Sequence, residues 1–490
     1  MIKKFELDKY SLVLGFLGFI LFILFPISEK NLLASNMFAI AVLMAVWWIT
    51  EAIPIAATSL VPLVLIPLFE IDSGKQIAGL YLNSIVFLFI GGFLIAIAME
   101  RWGLHKRIAL GIIDKIGSNP KRIVFGFMLS SFLLSMFISN TATTIMMLPI
   151  GLGIISKLEN DFSKKETRSF SIALMLGIAY SSSVGGTATL IGTAPNLAFK
   201  SIYESMITSD VTISFSNWFI FALPLAIISF VVVKVFILNI YYKPSKNLKL
   251  DKGIIKDELK SLGKIKFEER IVLFALITAS FLWMFRTDIA IGKFVVPGWS
   301  NLFNSQTFID DGTVSIFVAL LLFIIPSKNK NKRKILGKSA IGKMPWNIII
   351  LFGGGFALAH GFESTGLSEL IGSYFTNLSN IPHFVIILLV CLLMTFVTEL
   401  TSNTATTYTM LPIIASISIS LDINSLEIMI PATIAASFAF MFPVATPPNA
   451  IVFSPNKLKI KDMSRIGFVL NIVTVTIAAI YSSLFTSVLF

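Results

Sequence analysis

The hexapeptide Ser139-Asn140-Thr141-Ala142-Thr143-Thr144 returns further along the chain as Ser402-Asn403-Thr404-Ala405-Thr406-Thr407. A Met-Leu-Pro-Ile tail follows each copy, Met147 to Ile150 and Met410 to Ile413. The offset, 402 − 139 = 263, also carries Gly92-Phe93 onto Gly355-Phe356 and Gly103-Leu104 onto Gly366-Leu367. A register shared over so long a stretch is an internal repeat, and it constrains architecture before any single motif does. Both polar clusters sit in strongly apolar sequence, where an unneeded hydroxyl or amide is costly to bury. Two matched polar clusters in an apolar chain point to a binding site at a repeat interface.

The apolar background is general. Of 490 residues, 56% are hydrophobic, 13% are charged and 44 are Phe, so runs able to span a bilayer core of about 30 Å recur along the chain. These runs are continuous rather than alternating, which indicates helices and excludes a β-barrel. The expected fold is an all-α polytopic membrane protein. The net charge of +12 does not indicate nucleic acid, because the lysines crowd into short connections such as Lys243 to Lys266 and Lys328 to Lys343. That is the cytoplasmic excess of the positive-inside rule. Cys391 is the only cysteine, which excludes disulfides and thiolate metal sites. His105, His360 and His383 share no metal-site spacing. Met1-Ile-Lys-Lys followed by the apolar run Ser11 to Ile27 has the flavour of a signal peptide, but no small-x-small site follows, so it reads as a retained first helix.

The pattern predicts helices over about 11–28, 33–54, 56–70 and 82–100, the last with a basic extension. A Pro- and Gly-punctuated region follows at 121–158. Further helices are predicted near 169–200, 216–242, 270–287, 312–326 and 346–372. A second punctuated region covers 382–420, and segments near 427–455 and 465–489 close the chain. Arg101, Lys106, Arg107, Lys115, Lys121 and Arg122 precede the first punctuated region, and Lys157, Lys164, Lys165 and Arg168 follow it. Both its ends are then cytoplasmic, which makes it a re-entrant hairpin. No Lys or Arg lies between Lys343 and Lys457, so both ends of the second region are placed outside. Equivalent hairpins entering from opposite sides define an inverted repeat. The expectation is about 11 transmembrane helices plus two hairpins, with the amino terminus cytoplasmic and the carboxyl terminus outside.

Each half carries a second unusual element, Gly185 to Asn196 in the first and Phe442 to Asn449 in the second. Gly permits non-helical φ and Pro removes backbone donors, so each element should interrupt its helix at mid-membrane. An interrupted helix leaves carbonyls on one side, suited with Ser, Thr and Asn oxygens to a small hard cation. It leaves N–H groups on the other side, suited to an anion. No Lys or Arg falls in these segments, so helix dipoles and bound cations would balance an anion's charge. One Ser-Asn-Thr copy alone could be a set of small residues that let helices pack closely. Two copies in register, each paired with a Thr-x-Pro-Asn break, argue for a site. Glu51 and Glu399 are candidate intramembrane carboxylates, as proton carriers or as hydrogen-bond acceptors. Glu100 and Glu363 read as interfacial, and Trp47-Trp48 as part of an aromatic belt.

With both Ser-Asn-Thr motifs, both Thr-x-Pro-Asn loops and Trp47-Trp48-Ile49-Thr50-Glu51-Ala52-Ile53-Pro54 in place, the chain resembles the divalent-anion:sodium symporter family over essentially its whole length. This family includes INDY-like dicarboxylate transporters and sodium-coupled dicarboxylate, citrate and sulfate carriers. The resemblance implies a homodimer in membrane lipid, each protomer having a scaffold and a transport domain that moves elevator-fashion. The scaffold would comprise 1–115 and 269–378, the transport part 116–242 and 379–490, and 243–268 a cytoplasmic linker. It implies one sodium site from Ser135, Ser139, Asn140 and the Gly192 carbonyl, and another from Thr398, Thr401, Asn403 and the Ala445 carbonyl. The substrate carboxylates would be held by Ser139, Asn140, Thr141, Ser402, Asn403 and Thr404, with the loop residues Thr193, Ala194, Thr446 and Pro447. The family loop commonly reads Thr-Pro-Pro-Asn, as at Thr446 to Asn449. Ala194 replaces its first proline in the first half.

The implied function is sodium-coupled uptake of C4-type dicarboxylates such as succinate, malate or fumarate across the plasma (inner) membrane. The alternatives within the fold are a sodium-independent exchanger and a citrate or sulfate carrier. An anion channel fits two hairpins with paired cation sites less well. A membrane enzyme is disfavoured, because no His-Glu-x-x-His occurs and no Ser or Cys nucleophile has a nearby histidine.

Overall fold

The structure is a computed structural model that describes residues 2–117, 119–207, 211–245, 248, 253–291, 294–329 and 332–489. Parts of the basic linker expected at 243–268 lie outside the described residues. Helices α1 (Ile2–Leu24) and α2 (Leu32–Thr50) pack side by side, and Trp47 Nε1 donates to the Leu12 carbonyl at 3.2 Å. The predicted helix over 33–54 stops early. Glu51 caps α2 in the left-handed region at φ 50° and is exposed, and Pro54 then starts a new turn. Prolines also divide the next segment, giving α3 (Ile55–Thr58) and α4 (Val61–Leu68) instead of one helix over 56–70. The Trp pair is not an exposed belt: Trp48 is fully buried and donates to Ser59 Oγ at 3.1 Å. Its indole N–H finds an internal partner, which is what permits burial.

Next come α5 (Gly74–Leu80), α6 (Ser84–Trp102) and the amphipathic α7 (Leu104–Ile116), turned off α6 at Gly103 with φ 73°. The first hairpin is α8 (Pro120–Ser135) with α9 (Asn140–Asp161). The helix predicted over 169–200 is two, α10 (Lys164–Thr187) and α11 (Ala194–Met206), separated by the Gly- and Thr-rich turn. α12 (Phe215–Val235) widens into a π-helical turn over Phe236–Tyr241 and completes the first half. The second half adds α13 (Gly253–Ser261), α14 (Phe267–Met284), a two-stranded antiparallel hairpin, and α15 (Asp311–Ile324). In that hairpin β1 (Ile289–Ile291) pairs with β2 (Phe294–Val296), Ile289 opposite Val296, a feature the apolar pattern did not signal. After α16 (Ser339–Gly342), α17 (Trp346–Ser364) meets α18 (Leu367–Phe375) at 76° through Gly366, φ 72°. Then follow α19 (His383–Thr398), α20 (Asn403–Ser420), α21 (Ser425–Ser437), α22 (Pro447–Phe453) and α23 (Ile460–Leu489).

Among the described residues, six helices are long and apolar enough to cross a membrane, or seven with the bent pair α17–α18. The other apolar helices are 10–17 residues long, as expected where Pro and Gly interrupt the chain. The repeat is structural as well as sequential. The start of α8 at Pro120, its end at Ser135 and the start of α9 at Asn140 map by the same offset onto His383, Thr398 and Asn403. The elbows at Gly103 and Gly366 also coincide, and only glycine adopts such a φ without strain.

Two features tie the frame together. On α17, Gly353, Gly354 and Gly355 lie so close to Tyr81, Ser59 and Tyr408 that a Cβ on any of them would overlap. The Arg107 guanidinium on α7 pairs with the buried Glu269 of α14 and donates to the Leu262 and Gly263 carbonyls at 3.1 and 2.9 Å. That anchors the first amphipathic helix to the base of the second half.

Candidate functional site

The tip of each hairpin holds the same constellation. Ser135 Oγ hydrogen-bonds with Asn140 Oδ1 and lies 2.7 Å from the Ser182 carbonyl on α10. In the second half, Thr398 Oγ1 lies 2.7 Å from Asn403 Oδ1 and 3.0 Å from the Ala436 carbonyl on α21. Each group comprises three oxygens around a single hydroxyl proton, which can serve one acceptor at a time. The surplus lone pairs are hard oxygen donors, and the hydroxyl of each triad stands at the carboxyl end of its helix, where the dipole is negative. This donor set fits a hard monovalent cation. Ser135 and Thr398 are buried, whereas Asn140 and Asn403 are half-buried.

The interrupted helices are held open by a second matched pair. Asn196 Nδ2 donates to the Thr189 carbonyl at 2.7 Å and the Gly186 carbonyl at 3.2 Å. Asn449 Nδ2 donates to the Ala439 and Phe442 carbonyls at 2.9 and 3.0 Å. Both asparagines are fully buried, so each amide replaces helical partners that the break removed. Gly186 lies so close to Asn140 Oδ1 that a side chain there would displace the amide.

The remaining sequence-predicted residues fall around these tips. Ser139, Thr141, Thr193, Ala194, Thr401, Ser402 and Thr404 are half-buried, Gly192, Ala445 and Thr446 are buried, and Pro447 is exposed. Ser139 caps α9 by accepting from Ala142 N at 3.2 Å. Thr446 caps α22 by accepting from Asn449 N at 3.2 Å, whereas Thr193 makes no such bond at α11. Thr401 Oγ1 turns onto the Val397 carbonyl at 3.0 Å and Thr406 Oγ1 at 2.5 Å, away from the Thr398–Asn403 pair. The packing between halves is crossed: α9 lies against α22, and α11 lies against α20. Each hairpin tip thus takes its third oxygen from the interrupted helix of its own half, while α9 and α11 pack against elements of the other half.

Further groups position the tips, and of these Tyr180, Thr395 and Asn471 carried no signal in the motifs. Thr189 Oγ1 bonds to the Met136 carbonyl and Thr395 Oγ1 to the Phe438 carbonyl, both at 2.5 Å, fastening the tips to the breaks. Tyr180 on α10 donates to the Phe440 carbonyl at 2.6 Å, across the halves. Glu399 accepts from Met441 N at 2.8 Å, Phe442 N at 3.1 Å and Asn471 Nδ2 at 2.6 Å. It acts here as a buried acceptor, one of the two roles its sequence context left open.

Paired hairpins with facing interrupted helices define a polytopic membrane protein of transporter architecture. Two solved structures share the fold at low identity. The YdaH transporter of Alcanivorax borkumensis matches with a TM-score of 0.54 and 11% identity over 85% of this chain and 90% of that one. MtrF of Neisseria gonorrhoeae matches with a TM-score of 0.55 and 13% identity over 84% and 83%. The chain belongs to the sodium:sulfate symporter family, whose transmembrane-region model matches residues 4–490. Among curated proteins, the sodium-dependent dicarboxylate transporter SdcS of Staphylococcus saprophyticus is 42% identical over 475 residues, 95% of this chain and 89% of the relative. SdcS of Staphylococcus aureus strain NCTC 8325 is 41% identical over 476 residues with the same coverage.

Proposed function

We propose that this protein is a sodium-coupled symporter of C4-type dicarboxylates such as succinate, malate and fumarate in the plasma membrane. The observation that carries the reading is the doubled oxygen triad, Ser135–Asn140–Ser182 and Thr398–Asn403–Ala436, in segments without Lys or Arg. A dianion entering such a site meets no fixed positive charge, so co-bound sodium must supply most of the neutralisation. The two relatives named sodium-dependent dicarboxylate transporters support the same cargo. Each tip asparagine turns its Oδ1 to the cation and keeps its amide N–H for a carboxylate. Thr141, Thr404 and the N-terminal turns of α11 and α22 add donors. Ala194 keeps a backbone N–H that Pro447 lacks, so the first loop has one more donor than the second.

The site moves relative to the membrane by an elevator motion. The transport part, 116–242 and 379–490, carries both tips; the scaffold, 1–115 and 269–378, forms a homodimer in the lipid. The repeat is inverted, with the amino terminus cytoplasmic and the carboxyl terminus outside. An asymmetry between equivalent positions supports the motion. Tyr408 is fully buried against Gly355 on α17, whereas its counterpart at 408 − 263 = 145, Ile145, is 56% exposed. One repeat is seated on the scaffold while the other is free, as alternating access requires.

Uptake of labelled succinate into proteoliposomes tests the reading. Accumulation is expected with an inward sodium gradient and not with choline. Counterflow that persists without sodium would establish an exchanger instead.

A further inference from the structure

Glu399 follows Thr398 directly and has no counterpart in the first half, where 399 − 263 = 136 is Met136. It is 1% exposed. Its oxygens accept from two backbone N–H groups and from Asn471 Nδ2, while Asn471 Oδ1 accepts from Phe440 N at 3.3 Å. The carboxylate and Asn471, itself fully buried on α23, thus hold three successive residues, Phe440 to Phe442, of the second interrupted helix. All three groups bonded to the carboxyl oxygens are donors, so the side chain is held wholly as an acceptor.

Its position is electrostatically unfavourable by itself. Glu399 caps the carboxyl end of α19, and α21 ends at Ser437 just before the loop it grips. Two negative helix ends and a carboxylate are gathered with no Lys or Arg within ion-pair distance among the described residues. A cation at the Thr398–Asn403–Ala436 triad relieves that repulsion. The first triad has the same kinds of oxygen, with Ser182 five residues before the end of α10 rather than one, but a neutral Met136.

We propose that Glu399, oriented by Asn471, is a positioning residue that makes the second cation site the stronger of the two and the first to fill. The inference rests on the sodium-coupled reading above and goes beyond it. The negative charge deepens the attraction for sodium, and the grip on residues 440–442 sets where the following Ala445 carbonyl and Thr446 are presented.

The test is sodium binding to the purified full chain without dicarboxylate, by calorimetry and by thermal shift titrated against choline at constant ionic strength. Glu399→Gln keeps the shape, removes the charge and turns an NH₂ toward backbone donors. Its sodium midpoint is expected to rise at least tenfold. Glu399→Asp keeps the charge and should fall between the two. Asn471→Ala leaves the charge but frees its orientation, with a rise of about threefold expected. A purely structural role would lower the melting temperature in choline and leave the sodium midpoint unchanged, which overturns the proposal. If Glu399→Gln does not fold, wild-type midpoints in both Glu399→Asp and Asn471→Ala overturn it equally. Absence of any sodium response in the wild type would instead remove the symporter reading.

Discussion

Thr398 and Asn403 sit five residues apart across a hairpin tip, Oγ1 and Oδ1 separated by 2.7 Å, and Ser135 and Asn140 repeat the contact at the other tip. In each case a helix ends at the hydroxyl residue and another begins at the asparagine. The amide is thereby fixed with its oxygen turned to the hydroxyl and its Nδ2 outside that contact.

Asn140→Ala and Asn403→Ala should therefore each reduce succinate transport at least 100-fold, with folding and dimer assembly retained. Calorimetric binding should become undetectable in either variant. Wild-type affinity in both would remove these residues from the site.

Sodium and dicarboxylate should tighten each other's binding by the same factor, because linkage is reciprocal. Coupling of about 1–3 kcal/mol corresponds to a shift of about 5- to 150-fold in succinate affinity between low and saturating sodium. Thr398→Ala should weaken this linkage more than it weakens succinate binding at saturating sodium. Succinate affinity measured across a sodium titration against choline decides it; a flat wild-type response would contradict the coupling.

Opposite orientation of the hairpins can be read by cysteine labelling in a Cys391→Ser background, the native thiol being buried. Asn160 and Asn380 are both exposed. A cysteine at Asn160 should react with an impermeant reagent only from the cytoplasm, and one at Asn380 only from outside. Reaction of both from one face would contradict an inverted repeat.

Gly355→Ala places a methyl into the Tyr408 ring. Overpacking of this kind costs about 1–3 kcal/mol, so a lower melting temperature is expected. Tyr408→Leu should restore much of the loss in the double variant, because the two residues share one space. Additive losses would show that the contact is not what limits Gly355.

The repeat and the helical class were legible because they rest on a shared register and on apolar runs, and the same register places a helix–turn–helix at each Ser-Asn-Thr copy. The register likewise put Asn140 and Asn403 at equivalent positions, where the structure starts α9 and α20. Interruptions within apolar runs were harder. Nothing in the local pattern shows that Glu51 ends α2 in a left-handed turn, and Trp47-Trp48 read as a belt because burial depends on distant partners such as Leu12 and Ser59. Asn471 lies 471 − 399 = 72 residues from Glu399 in an unremarkable helix, and only tertiary packing brings the two together. The β1–β2 hairpin is too short to produce a period.

The crossed packing of α9 on α22 and α11 on α20 has a consequence for biogenesis. Helix α9 is synthesised long before α22, which packs against it, since their first motif asparagines, Asn140 and Asn449, are separated by 449 − 140 = 309 residues. At about 5–20 residues per second the ribosome needs about 15–60 s to bridge that interval. For that time α9 must wait in or beside the bilayer without α22 against it, so the nascent first half is the stage at which a membrane insertase or quality-control protease has most to recognise.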